Sequence, residues 1–141
     1  MRFAVAGLLQ VPIDRQLVAV VDEDEAVRKA MKGFLRAAGF VAEVFSSAEE
    51  FLHSPNLNHT GCLVTDVNMP NMNGLDLYRS LSAHGKDIPT ILITAFPSDD
   101  DCARALQEGA LCYLTKPFNE RDLLDYVRTA LDRRSGGRIT S

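Results

Sequence analysis

Short runs of Val, Ile and Leu alternate along this chain with segments whose apolar residues recur every three to four positions, and few folds accommodate that alternation. Leu17–Val21, Val41–Phe45, Cys62–Thr65, Pro89–Thr94 and Leu111–Thr115 read as five buried strands. Between them, Glu25–Ala38 sets Val27, Met31, Phe34, Leu35 and Ala38 on one helical face and stops at Gly39. Ser46 and Ser47 can cap a short helix reaching about His53, with Glu49 and Glu50 in capping-box register. After a polar loop at Ser54–Thr60 and the third strand, the turn Asn68–Gly74 leads into a third helix at about Leu75–His84. Pro97-Ser98 opens a fourth helix, with Asp99, Asp100 and Asp101 at the positive end of its dipole and Gly109 at its stop. Asn119 and Asp122 begin a fifth, whose inner face is Leu123, Leu124, Val127 and Leu131. Five β–α units need right-handed crossovers, so the expected fold is α/β, a doubly wound five-stranded parallel sheet of order 2-1-3-4-5.

Residues 16–134 make one domain in this reading, with 1–15 a leader of unassigned role and 135–141 a tail. Met1-Arg2 before Phe3–Leu9 has a faint secretion-signal look, but the apolar part is short and no A-x-A pattern follows before Pro12. No stretch approaches the ~20 apolar residues that cross a bilayer. The net charge of −4 offers no basic footprint, so direct nucleic-acid binding is not expected. Cys62, Cys102 and Cys112 are odd in number and lack C-x-x-C spacing. That argues against a disulfide framework or zinc site and for a reducing cytoplasm.

In such sheets ligands bind outside the carboxyl ends of the strands. Four of the runs end there on residues able to handle phosphate or metal: Asp22-Glu23, Asp66, Thr94 and Lys116-Pro117. Strands one and three are neighbours in the expected order, so Asp22, Glu23 and Asp66 should converge. Two carboxylates ~5 Å apart at an effective dielectric of ~20 repel by about 3 kcal/mol. A hard divalent cation with oxygen ligands and retained waters relieves this best, which points to Mg²⁺. A cation beside Asp66 would neutralise an incoming phosphoryl group and let the carboxylate act as nucleophile. Lys116 would pair with phosphate oxygens as a point charge, and Thr94 would donate its hydroxyl. A cis Lys116-Pro117 bond, uncommon among X–Pro bonds, would turn the ammonium inward. Singly, each residue has an ordinary reading: a solvated helix start, a turn initiator, a strand-end hydroxyl, a loop lysine. The set at one sheet edge points to a site.

Val20-Val21-Asp22-Glu23, Leu63–Gly74 with its D-x-x-M-P-x-x-x-G pattern, Ile91–Ala95 and Tyr113-Leu114-Thr115-Lys116-Pro117-Phe118 resemble a receiver domain of two-component response regulators, a flavodoxin-like fold. The resemblance runs from about Gln16 to Arg133. Val27-Arg28-Lys29 and Ser47–Leu52 are similar to the FixJ-type subgroup. The resemblance implies that Asp66 is the phosphoacceptor, fed by a sensor histidine kinase. It implies that Glu23, Asp66 and the backbone carbonyl of Asn68 bind Mg²⁺, while Asp22 orients metal-bound water. Thr94 and Lys116 would contact the phosphoryl group, and Tyr113 would be the aromatic switch that follows Thr94 inward. Where the family often has Asp, this chain has Glu23, whose longer side chain still supplies an oxygen.

Phosphorylation would then shift the face of helix four, strand five and helix five, with Asp100, Arg104, Gln107 and Glu108 as exposed candidates. That face would be read by an output protein or a second copy. The chain would assist only its own phosphorylation and dephosphorylation, and is not expected to be an enzyme in the ordinary sense. With no DNA-binding or enzymatic segment after the fifth helix, a stand-alone receiver is the leading expectation, and a fragment of a transcription regulator the alternative. An aspartate-nucleophile phosphatase usually needs a second acid two residues after the nucleophile, where Asn68 stands. A flavodoxin-like cofactor binder should cradle phosphate at the first strand–helix turn, which Asp22–Glu25 would repel. A pseudo-receiver acting purely by protein contact is the remaining rival. His53, His59 and His84 lack metal spacing, and Met69 and Met72 suit either core filling or a partner helix.

Overall fold

The computed structural model describes residues 15–136; the leader, its signal-like stretch included, falls outside the described residues except for Arg15. Five strands, β1 (Leu17–Val21), β2 (Val41–Phe45), β3 (Thr60–Asp66), β4 (Thr90–Thr94) and β5 (Cys112–Thr115), alternate with five α-helices. The helices are α1 (Glu25–Ala37), α2 (Ala48–Leu52), α3 (Gly74–Ala83), α4 (Asp99–Gln107) and α5 (Glu120–Gly136). All strand pairs are parallel and the order is β2-β1-β3-β4-β5, as the alternation requires.

The period of two along the strands sorts the core between the two faces of the sheet. Val18, Val20, Val64, Ile91 and Ile93 pack with Met31, Leu35, Leu123, Val127 and Leu131 beneath α1 and α5. On the other face Ala19, Val21 and Leu63 meet Phe51, Leu77 and Leu81, and Leu92 meets Leu75 and Ala105. Phe45 and Phe51 meet edge to face with centroids 5.3 Å apart, which anchors the short α2. Met69 and Met72 pack against this second face, which favours the core-filling reading.

Each helix is started by a polar side chain that takes up otherwise orphaned N–H groups. Asp24 accepts from Ala26 and Val27, Ser47 from Glu50, Asn73 from Asp76, Ser98 from Asp101, and Asn119 from Arg121 and Asp122. At α2 the reciprocal bond departs from the expected capping box: Glu50 reaches one residue further back and accepts from the N–H and hydroxyl of Ser46.

β3 begins earlier than its apolar run, because Thr60 pairs with Leu17 across a register shift in β1. Gly61 lies there: a Cβ would overlap the Arg15 carbonyl and come within 2.8 Å of Leu131 Cδ2. Thr60, the last residue of the expected polar loop, thus belongs to the strand together with Gly61, and Leu57–His59 within the loop form a 3₁₀ turn. At the other end, α5 continues through Ser135 and Gly136, two residues into the expected tail.

Candidate functional site

The strand order brings the ends of β1, β3, β4 and β5 to one edge of the sheet, and the structure draws most of the expected residues together there. Asp22 follows β1 and is buried, its side chain 6% exposed. Its Oδ1 accepts from the Asp24 N–H at 2.9 Å, and Oδ2 lies 3.3 Å from Lys116 Nζ. Asp66 closes β3 with its side chain 10% exposed, and its Oδ2 lies 3.5 Å from the same ammonium. Its Oδ1 accepts from the Asn68 N–H at 3.1 Å. Lys116 therefore sits between the two acids, and the Lys116-Pro117 peptide is cis.

Thr94, wholly buried at the end of β4, donates its hydroxyl to the Asn68 carboxamide oxygen and accepts from the Phe96 N–H at 3.0 Å. Its carbonyl accepts from the Lys116 N–H at 2.8 Å. Tyr113 is half-buried against the cluster of Leu75, Leu92, Ala105 and Ala110. In the ladder Leu92 pairs with Tyr113 and Thr94 with Thr115, so Tyr113 and Thr94 share one face of the sheet. A cleared space near Thr94 is thus on the tyrosine's own side.

One expectation needs correction. Asp22, Glu23 and Asp66 do not form a three-carboxylate cluster: Glu23 is exposed, and among the described residues no group of three His, Cys, Asp or Glu side chains is gathered to hold a metal. The physical reason is local: β1 ends at Val21, Asp22 is turned inward, and the chain bends at Glu23, leaving that side chain in solvent. Arg28 completes this turn by donating to the carbonyls of both Asp22 and Glu23 at 2.9 Å each.

Burial is the largest influence on Asp66 and pushes its carboxyl above the usual range. The Asn68 N–H opposes this, Asp22 reinforces it, and Lys116 again opposes it. Burial pulls Lys116 downward, but the charges and hydrogen bonds of Asp22 and Asp66 outweigh it, so the ammonium is held above its ordinary value. Two carboxylates against one ammonium leave the crevice net negative. Mg²⁺ keeps several waters and is commonly held by one or two carboxylates. The paired Asp22 and Asp66 fit such an ion without a third acidic side chain.

Sequence reasoning missed three contributors. Gly74 opens α3 directly against Asp66, and a Cβ there would overlap the Asp66 carbonyl oxygen. Its place in the D-x-x-M-P-x-x-x-G segment was the available signal. The Arg28 brace and the Asn68 carboxamide left no such trace, since both depend on where neighbouring turns come to lie. Of the exposed α4 candidates, Asp100, Arg104 and Gln107 face solvent as expected. Glu108 is exposed as well, and its carboxylate also pairs with Arg79 of α3, Nε–Oε1 2.8 Å and Nη2–Oε2 3.0 Å.

A doubly wound parallel sheet with a buried acid pair, a lysine and a threonine at the strand ends is the arrangement expected of a receiver domain. Residues 18–128 match the family described as response regulator receiver domain, and the chain belongs to that family. It is 38% identical over 125 residues to the response regulator protein TodT of Pseudomonas putida, covering 89% of this chain and 55% of that protein. It is 41% identical over 115 residues to the response regulator protein TmoT of Ectopseudomonas mendocina, covering 82% and 52%. The chain spans about half the length of these curated relatives. The crystal structure of FixJ-N superposes with a TM-score of 0.74 at 32% identity, over 89% of this chain and 97% of that one. Magnesium and phosphorylation are typical of the family, and its members interact with histidine kinases rather than acting as classical enzymes. Among the described residues no helix is long and apolar enough to cross a membrane.

Proposed function

We propose that this receiver accepts a phosphoryl group on Asp66 from a sensor histidine kinase in the cytoplasm and passes the signal on through a changed protein-contact face. The observation that supports this most is the arrangement of Asp66 and Asp22 on a single ammonium, with the Thr94 hydroxyl one residue's reach away across Asn68. An Asp66 oxygen attacks phosphorus, the bond from phosphorus to the donor's imidazole nitrogen breaks, and that nitrogen leaves with the electron pair. Lys116 then exchanges its carboxylate partner for phosphoryl oxygens. Asp22 keeps that ammonium oriented throughout.

Asp66 and the backbone carbonyl of Asn68 would hold Mg²⁺, with Asp22 beside it and Glu23 joining through a retained water. When bound, the ion supplies charge neutralisation for the incoming anion. Thr94, drawn toward the phosphoryl oxygens, leaves space on the face it shares with Tyr113, and the tyrosine turning inward alters the surface of α4, β5 and α5. That surface is read by a protein partner or by a second copy of the chain.

Incubation with acetyl phosphate and Mg²⁺ should add one phosphoryl mass per chain, abolished in Asp66→Asn and by chelation. Label that persists in Asp66→Asn would refute the acceptor assignment.

A further inference from the structure

We propose that the side chain of Asn68 is a positioning residue that latches the Thr94 hydroxyl in the resting state and so sets how readily the site responds to a phosphoryl group. The inference rests on the reading of Asp66 as acceptor, and gives a role of its own to the side chain of Asn68, a residue of which the proposed metal site uses only the backbone carbonyl.

Four residues at and just beyond the strand ends form a ring closed by three hydrogen bonds and one ion pair. Asn68 N–H donates to Asp66 Oδ1, the Thr94 hydroxyl donates to Asn68 Oδ1, Lys116 N–H donates to the Thr94 carbonyl, and Lys116 Nζ lies against Asp66 Oδ2. Asn68 is the member that touches both Asp66 and the Thr94 hydroxyl. Thr94 is wholly buried, so its hydroxyl proton must have an acceptor, and in this state the carboxamide oxygen supplies it. The Phe96 N–H occupies a lone pair of the same hydroxyl and fixes its direction. A phosphoryl group on Asp66 brings charged acceptor oxygens, which bind a hydroxyl more strongly than a neutral carboxamide does. The hydroxyl is therefore contested between two acceptors, and the carboxamide biases the contest toward rest.

The residue type suits this part. A carboxylate at position 68 would also accept from Thr94, but would add a like charge beside Asp66. An aliphatic residue would leave the hydroxyl without its resting acceptor. Asn68 is itself exposed, so its truncation opens no core cavity.

The test combines two measurements. In the unmodified protein, side-chain NMR couplings of Thr94 should report one rotamer. In Asn68→Ala they should average over several, and in Asn68→Asp, which keeps the oxygen, return to one. Second, Asn68→Ala should bind beryllofluoride with Mg²⁺ roughly twofold to tenfold more tightly, the factor that one neutral hydrogen bond is worth. The same substitution in a Thr94→Val background should change that affinity little. A Thr94 rotamer unaltered in Asn68→Ala, weaker binding by that variant, or an equal gain in both backgrounds would each overturn the latch. If the unmodified protein takes up no beryllofluoride, it is the acceptor reading that falls, while the rotamer comparison still decides the role of Asn68.

Discussion

Asp66 is held between influences of opposite sign. Burial and the neighbouring Asp22 disfavour its charge, while the Asn68 N–H and Lys116 favour it, and the balance leaves the carboxyl protonating above the usual range. A raised carboxyl means that the folded chain keeps this proton to higher pH than the unfolded one. Folding stability therefore falls as pH rises from about 4, the ordinary carboxylate value, through the folded value. Asp66→Asn removes that penalty. In metal-free buffer near pH 7 the variant should be more stable by about 1 kcal/mol, a rise of a few degrees in Tm. The difference should shrink toward pH 4, and denaturant melts across that range check it. Lys116→Ala acts in the opposite direction, leaving two buried carboxylates without their shared cation. It should lose about 3 kcal/mol of stability in the same assay.

Among the elements, the junction of β3 with α3 is the most constrained. Gly74 begins the helix where any side chain would strike the Asp66 carbonyl, and its N–H donates to the Val67 carbonyl at 3.1 Å. Gly74→Val should cost about 2–3 kcal/mol by overpacking. It should also slow acetyl phosphate labelling, because relief comes only by shifting the strand end that carries Asp66. A variant that melts like the parent and labels at the parent's rate would contradict this. Element types were legible beforehand because β-branched runs and polar caps agree along the chain, with Gly39, Gly85 and Gly109 as stops after α1, α3 and α4. Less legible were contacts between elements distant in sequence. Tyr78 donates to the Glu108 carbonyl at 2.9 Å and Arg79 grips the Glu108 carboxylate, joining α3 to the end of α4 across about thirty residues. No local pattern marks such a clasp. Gly109, with φ +109°, ends α4 as its stop signal implied, and a Cβ there would meet the Tyr78 hydroxyl at 2.6 Å. Glu23 departs from expectation for a related reason: adjacency to Asp22 suggests shared chemistry, whereas the chain bends at Glu23 and leaves its side chain in solvent.

At the scale of the whole molecule, the crevice is one of two strand-end edges, and topology alone decided which residues would share it. The order β2-β1-β3-β4-β5 sets β1 and β3 side by side, so Asp22 and Asp66 meet although 44 positions apart, and Lys116 reaches them from β5. The arrangement leaves an acidic pair only partly neutralised by the fold itself. A cation that binds this edge in the folded chain and not in the unfolded one must stabilise the fold by mass action. At a free Mg²⁺ concentration about tenfold above its dissociation constant the gain is ~1.4 kcal/mol, again a shift of a few degrees. Mg²⁺ should therefore raise Tm in a saturable manner. Asp66→Asn should start from a higher metal-free value, and both it and Asp22→Asn should gain much less, because each leaves one carboxylate facing Lys116. Glu23→Gln should retain most of the Mg²⁺ shift, since that side chain lies outside the buried pair. Equal shifts in all four proteins would show that the ion acts elsewhere on this acidic chain, and would separate the crevice from the general effect of its net charge of −4.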